Sequence, residues 1–399
     1  MDPAIDKSWR PRRPPVDRRL LLAVGFLIMA FNSIYQYSWN ALGPLISEGM
    51  GAGFQEVQAA FTLFVAVSTA SQLLGGAVAD ARGPRGISIA AALMSAAGFL
   101  GTSASRGMAE FYASWAVGSA GEGILYGVAS NVALKWFPDR RGLAVGLVSV
   151  GFGVGGAVAN PFILAAGGFR VPSMAIGLVE LAVLPAAAST LSYPRGLRGV
   201  RTGEAVRDAR WWMIYASYAL AAVPLLAFSS SLSRIAAGLG VGGAGLAAAI
   251  SAFPVASGIG RPLLGSIADR LGTLRMLALS AAAMAVGSAI VPAGLVLEGA
   301  LMVGIFGGAL VPLYFSAVGE IYGEAYSTSN TAALYTGKAV AGVLGGSAFA
   351  ALLQVGLGAS VAFLVASEAA AIALLAAAAR LGGGIGPGGP RSPHRASRP

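Results

Sequence analysis

The sequence predicts an all-α membrane protein, with twelve transmembrane helices arranged as two six-helix halves. Three observations lead there. Only 11% of the 399 residues are charged and 56% are hydrophobic, with a mean hydropathy of +0.72. A water-soluble domain carries about 25% charged residues, so this chain cannot cover an aqueous surface. The apolar residues gather into twelve stretches, each near the ~20 residues a helix needs to cross a bilayer. The lysines and arginines crowd into the segments on one side of those stretches.

The twelve windows are 20–46, 56–79, 87–105, 110–134, 143–166, 173–193, 211–234, 244–268, 276–292, 298–320, 329–350 and 358–380. They are too long and too uniformly apolar for the short alternating strands of a membrane barrel. The 57 glycines fit helices that approach closely in lipid. The first window follows basic residues, as a secretory signal would. It is longer than a signal core, and Asn32, Tyr35, Gln36, Tyr37 and Trp39 make it more polar, so it reads as a span.

The segments 1–19, 80–86, 135–142, 194–210, 269–275 and 380–399 hold 22 of the 27 lysines and arginines. The other side holds Arg106, Arg170 and Arg234, while Arg261 and Lys338 fall inside spans. Positive charge collects on the cytoplasmic side, so the reading is a multi-pass cell-membrane protein with both termini cytoplasmic. The net charge of +10 is then a topology signal, and no nucleic-acid partner is expected. The chain divides into a basic cytoplasmic segment (1–19), a first half (20–193), a cytoplasmic linker with five arginines (194–210), a second half (211–380) and a tail (381–399). The tail is rich in Gly, Pro and Arg and is expected to be disordered.

Composition also excludes chemistry. There is no cysteine, and the single histidine, His394, lies in the tail. Thiolate or histidine metal sites and histidine-based catalysis are therefore not expected. No phosphate-binding Gly-x-x-x-x-Gly-Lys-Ser/Thr stretch occurs, so neither a cofactor nor ATP drive is expected. The spans show no nucleophile–base pair, so an enzyme is not expected either. The loops are too short for the ligand or output domain that a non-transporting receptor needs.

The halves echo each other. After the second window comes Gly76-Ala-Val-Ala-Asp80-Ala-Arg82-Gly83-Pro84-Arg85, and after the eighth comes Gly265-Ser-Ile-Ala-Asp269-Arg270-Leu-Gly272-Thr-Leu-Arg275. Gly76, Asp80 and Gly83 each recur 189 residues later. A tight turn needs glycine, and an acid beside arginines can form an ion-pair latch between helix ends. Asp80, Arg82, Asp269 and Arg270 are the candidate cytoplasmic gate. A helix cap with topology charges is the alternative.

This loop resembles the signature of the major facilitator superfamily, whose parallel six-helix halves share the architecture. The second copy matches well. In the first, Arg82 follows Asp80 by two positions instead of one. Three further stretches resemble the oxalate/formate antiporter family, a neighbour of the monocarboxylate transporters. They are Tyr35-Gln36-Tyr37-Ser38-Trp39, then Lys135-Trp136-Phe137-Pro138-Asp139-Arg140-Arg141-Gly142 running into a glycine-rich fifth span, and Glu320-Ile-Tyr-Gly323 followed by Asn330 and Leu334-Tyr335-Thr336-Gly337-Lys338. The fifth span, with Gly151, Gly153, Gly155 and Gly156, lacks the Gly-Pro pair of the superfamily's drug/proton antiporters.

Charges stranded in lipid point to function. An ionisable side chain at mid-membrane costs ~2.5–3.5 kcal/mol or more and usually faces a water-filled path. Glu122, Glu180, Arg261, Glu320, Lys338 and Glu368 are such groups. Arg261 lies seven residues into its window and Lys338 nine, ~10 Å and ~13 Å deep at ~1.5 Å per residue. Both sit in the second half near one level. Glu320 and Glu298 are at span ends, and Glu368 is on the twelfth span, which is peripheral in this fold. The simplest partner for the two cations is therefore an anion that comes and goes, with arginine offering a planar fork and lysine a point charge. Structural pairing with those acids is the alternative. The resemblance places the family's two substrate-binding cations at these positions. A break in the eighth span at Gly260 and Pro262 would free backbone groups nearby.

Tyr35, Tyr126, Tyr314 and Tyr335 are candidate substrate contacts on spans that border the central path, as hydroxyl donors and packing surfaces. Gln36 and Asn330 are weaker polar candidates. Glu122, centred in the fourth span one turn from Tyr126, is a candidate proton carrier or a counter-charge to the empty cation site. Glu180 and Glu368 read as structural. The expectation is a secondary transporter of small mono- or dicarboxylates such as oxalate, formate or lactate, working by exchange and alternating access. Its partners would be the carboxylate, membrane lipid and, for the rival proton-coupled monocarboxylate symport through Glu122, protons.

Overall fold

The computed structural model describes residues 17–381; residues 1–16 and the tail from 382, with His394 and its expected disorder, lie outside the described residues. The chain is almost wholly helical, and its one extended contact among the described residues is an isolated antiparallel bridge between Gly199 and Gly323. Ten helical stretches are long and apolar enough to cross a membrane. The helices Met108–Trp136 and Gly243–Leu271, of 29 residues each, complete twelve. They are the helices that carry Glu122 and Arg261.

The first span is Arg18–Tyr37, continued after Ser38 by Trp39–Met50. Spans two to six are Phe54–Arg82, Pro84–Ala104, Met108–Trp136, Arg141–Ala165 and Arg170–Ser189. After the short helix Thr202–Ala205, spans seven to nine are Ala209–Gly238, Gly243–Leu271 and Thr273–Ala289. The tenth span joins Val296–Gly308 to Leu310–Tyr322. The eleventh runs through Ser327–Tyr335, Gly337–Gly342, a π-helical turn Val343–Ala348 and Phe349–Val355. The twelfth is Leu357–Leu381.

The repeated glycines have a backbone reason. Gly83 is the only residue between the second and third spans and Gly272 the only one between the eighth and ninth. Their φ values are 89° and 96°, in the left-handed region that a side chain disfavours. Pro84 then starts the third span, where its missing N–H costs nothing. These two turns lie on the face where Arg18 and Leu381 also lie, here called the basic face.

The eighth span runs unbroken through Pro254 and Pro262, so the break expected at Gly260 and Pro262 does not occur. The interruptions fall instead at Ser38, Ala309 and Thr336, in spans one, ten and eleven.

The halves meet along the fifth and eighth spans, glycine against backbone. A Cβ on Gly142 would stand 2.5 Å from the Gly265 carbonyl oxygen, and one on Gly146 2.6 Å from that of Arg261. Only residues without side chains allow such an approach, which is how helices gain packing energy where lipid offers no hydrophobic drive. Span six packs on span three, and span twelve on spans seven and nine, so both are peripheral. Apolar side chains such as Leu74, Val158, Val255 and Ile259 remain exposed, as lipid-facing positions should be.

Candidate functional site

Spans eight and eleven bring Arg261 and Lys338 to the middle of the bundle, 5% and 8% exposed. Burial of two cations demands partners, and the groups hydrogen-bonded to them are neutral. Lys338 Nζ donates to Gln36 Oε1 at 2.8 Å and to the Tyr335 hydroxyl at 2.9 Å. Arg261 Nη2 lies 3.5 Å from the Tyr37 hydroxyl, at the outer limit of a hydrogen bond. Its guanidinium stands 5.3 Å from the centre of the Phe152 ring. Arg261 Nε and Nη1 are buried without a hydrogen-bond partner among the described residues. The ion pairs there are Lys135–Asp80 and Arg141–Glu324, neither of which involves Arg261 or Lys338. The alternative, structural pairing with Glu320, Glu298 or Glu368, is thus not formed.

Aromatic rings wall this group. Tyr126 stacks on Tyr335 at 5.2 Å and meets Phe152 edge-on at 5.3 Å. Tyr335 is stacked on its other side by Tyr218 at 6.4 Å. Tyr314 stands one layer back, against Tyr218 at 5.0 Å, with its hydroxyl donated to Ser217 Oγ at 2.9 Å. Tyr35 does not join the group. Its hydroxyl donates to the Ser95 carbonyl at 2.7 Å, and its ring packs among Phe64, Phe99 and Trp115 inside the first half. The residues of that stretch that reach the cations are the next two, Gln36 and Tyr37. They end the helix before Ser38, and helical phase carries them round to the opposite face from Tyr35.

Glu122 is 3% exposed and lies within electrostatic reach of Lys338. Asn32 Nδ2 donates to its backbone carbonyl at 3.1 Å. Glu180, on the peripheral sixth span, accepts from Ser95 Oγ at 2.8 Å. Both carboxyl oxygens of Glu368 are buried without a partner among the described residues.

The basic face is closed by a lock that differs from the expected acid–arginine latch. Asp80 holds Lys135 Nζ at 2.9 Å and accepts from both the backbone N–H and the hydroxyl of Ser329 at 2.7 Å. Asp269 accepts the N–H groups of Gly142 and Leu143 at 2.9 and 3.0 Å. Each acid therefore crosses to the first turn of a helix in the other half, where free N–H groups and the helix dipole favour negative charge. Arg82 and Arg270 stay exposed, and the ion pairs among the described residues do not include them.

Lys135 also donates to the carbonyls of Glu324 and Ala325 at 2.7 and 3.1 Å, and Arg141 pairs with Glu324. Sequence reasoning counted Lys135 as a topology charge and as part of a family-like stretch, with no role in the gate. Its 2% exposure is what marks it out.

The start of span eleven completes the lock, each of its five residues bonded to another element. Ser327 donates to Asn131 Oδ1 at 2.7 Å. Thr328 meets the Tyr193 hydroxyl at 2.9 Å, and Ser329 takes Asp80. Asn330 accepts from Thr202 Oγ1 at 2.7 Å and donates to the Val200 carbonyl at 3.0 Å. Thr331 accepts from Asn131 Nδ2 at 2.8 Å. The hydrogen bonds joining the halves thus run from the basic face up to Lys338 and Arg261.

The family model of the Major Facilitator Superfamily matches residues 21–345. The chain is 48% identical over 365 residues to an "Uncharacterized 38 kDa protein in 23S RNA operon" of Thermoproteus tenax, covering 91% of this chain and 96% of that protein. It is 27% identical over 377 residues to the oxalate:formate antiporter of Oxalobacter formigenes, covering 90% of each. In fold it resembles a crystal structure of the E. coli fucose:proton symporter FucP, with a TM-score of 0.70 at 14% identity over 90% of this chain and 98% of that one.

Proposed function

Because the chain belongs to the Major Facilitator Superfamily, we propose that this transporter carries small organic anions, mono- or dicarboxylates, by exchange through alternating access. Arg261 carries the reading: a guanidinium 5% exposed, with Nε and Nη1 left open. A buried charged group without partners is costly, and a carboxylate beside the guanidinium can accept charge-assisted hydrogen bonds from its open donors. Lys338 supplies the second cation, with Tyr335 and Gln36 orienting it. The rings of Tyr126 and Phe152 exclude water and limit the size of the passenger. The relative named as an oxalate:formate antiporter supports the same substrate class. The crowding of arginines on the basic face supports a cytoplasmic location for that face and both termini.

The test is counterflow in liposomes with oxalate, formate, lactate and acetate. Arg261→Gln and Lys338→Gln are each expected to abolish uptake of the transported anions while the protein still inserts. Wild-type rates in both variants overturn the site. One observation favours a second reading, symport of a monocarboxylate with a proton: Glu122 is buried one turn before Tyr126, whose ring stacks on Tyr335, the hydroxyl partner of Lys338.

A further inference from the structure

Charge balance in the centre of the bundle fixes more than the sign of the passenger. Arg261, Lys338 and Glu122 come from spans eight, eleven and four and are each at most 8% exposed. Lys338 donates to the Tyr335 hydroxyl, Tyr335 stacks on Tyr126 at 5.2 Å, and Tyr126 lies one turn along span four from Glu122. The titratable groups whose charge is felt at Glu122 are Lys338 and Tyr335 from span eleven, Tyr35 from span one, Tyr126 from its own helix and Glu180 from span six. Lys338 is the cation among them. Arginine stays protonated in proteins, and the two acceptors on Lys338, Gln36 Oε1 and Tyr335 Oη, suit an ammonium. With Glu122 ionised the site holds one positive charge in excess. With Glu122 protonated it holds two.

Buried charges are tolerated when balanced. Resting on the anion-site reading above, we propose that the protonation state of Glu122 selects the valence of the passenger. Ionised Glu122 admits a monoanion. Protonated Glu122 admits a dianion, and the proton on its carboxyl travels with it. Both loaded forms then cross with the same charge. A dianion and a proton entering while a monoanion leaves moves no net charge, so the exchange is electrically silent and proton-linked. Without the proton the same exchange would carry one negative charge inward per cycle.

The experiment uses the full chain in phosphatidylcholine/phosphatidylglycerol vesicles loaded with formate and a trapped pH dye. Oxalate is added outside, and the potential is set by potassium and valinomycin. Protein-free vesicles give the leak of formic acid for subtraction. One proton is expected to enter per oxalate exchanged, at a rate the imposed potential does not change. In Glu122→Gln the proton entry disappears, the exchange becomes sensitive to potential, and the ratio of oxalate to formate counterflow rises at least about tenfold, because a monoanion leaves a cation unbalanced. Exchange without proton entry in the wild type overturns the proposal, as does an unchanged anion ratio in the variant. Should the variant not transport, the wild-type proton count decides alone. Wild-type vesicles that exchange neither anion overturn the anion site itself, a result distinct from exchange without protons.

Discussion

Tyr335 and Tyr37 each present a hydroxyl to one of the two central cations, at 2.9 and 3.5 Å. The difference decides what their loss should do. A well-formed hydrogen bond contributes about 0.5–1.5 kcal/mol net, more when one partner is charged, and about 1.4 kcal/mol is tenfold in affinity. Tyr335→Phe is expected to raise the half-saturating anion concentration roughly tenfold. Tyr37→Phe, at the edge of bonding distance, should raise it by less than about threefold. Tyr35→Phe should leave that constant alone and lower thermal stability, because its hydroxyl serves a carbonyl of the first half. Counterflow titrations with a detergent melting curve read all three. Arg261 and Lys338 were legible in the sequence because a charge inside an apolar run stands out in any window. Gln36 and Tyr37 were not singled out as their contacts, because which face a residue takes just before a helix interruption depends on where the interruption falls.

At the scale of elements, span eleven carries the most consequence for its length. Its first turn, residues 327–331, is a row of hydroxyl and amide side chains, and all five are buried. From sequence alone such a row reads as a polar helix start, because it differs from an ordinary cap only in having partners on other elements. Asn131, in span four, ties two of the five. Asn131→Leu would leave the Ser327 hydroxyl unsatisfied and take from Thr331 its donor across the halves, in the closed form only, at roughly 1–3 kcal/mol. The basic face should then open about tenfold more often. The chain has no cysteine, so one introduced thiol in this turn reports opening through its labelling rate by an impermeant reagent. An unchanged rate would count against the row as part of the lock. The interruptions at Ser38 and Thr336 lie directly beside Tyr37 and Tyr335. The candidate site is therefore built where two helices are interrupted.

At the scale of the molecule, the two locks obey the internal repeat: Asp80 reaches the start of span eleven, and Asp269 the start of span five. The repeat made both acids visible beforehand. A helix cap was the alternative for them, but that they would cap helices of the opposite half was hidden, since backbone N–H groups have no letter in a sequence and the neighbouring arginines looked like the natural partners. Asp80→Ala should favour opening of the basic face more than Asp269→Ala, because it also strands the buried Lys135 ammonium. The two effects should add, the sites sharing no partner. Spin labels on Arg85→Cys and Arg275→Cys, exposed positions beside the paired turns, measure the change as a longer distance population.

The connector between the halves is not slack along its length. Val200 N–H donates to the Tyr322 carbonyl, and the N–H groups of Glu324 and Ala325 donate to that of Arg198. Asn330 holds Val200 and Thr202 from the other side. Upstream, Ser192 is fastened to Trp136 of the first half. A swivel between the two halves must therefore be concentrated in the few residues from Pro194 to Leu197. A fluorescent reporter grafted at Gly203 would ride as luggage on the second half, sweeping through space with it rather than trailing midway between the two.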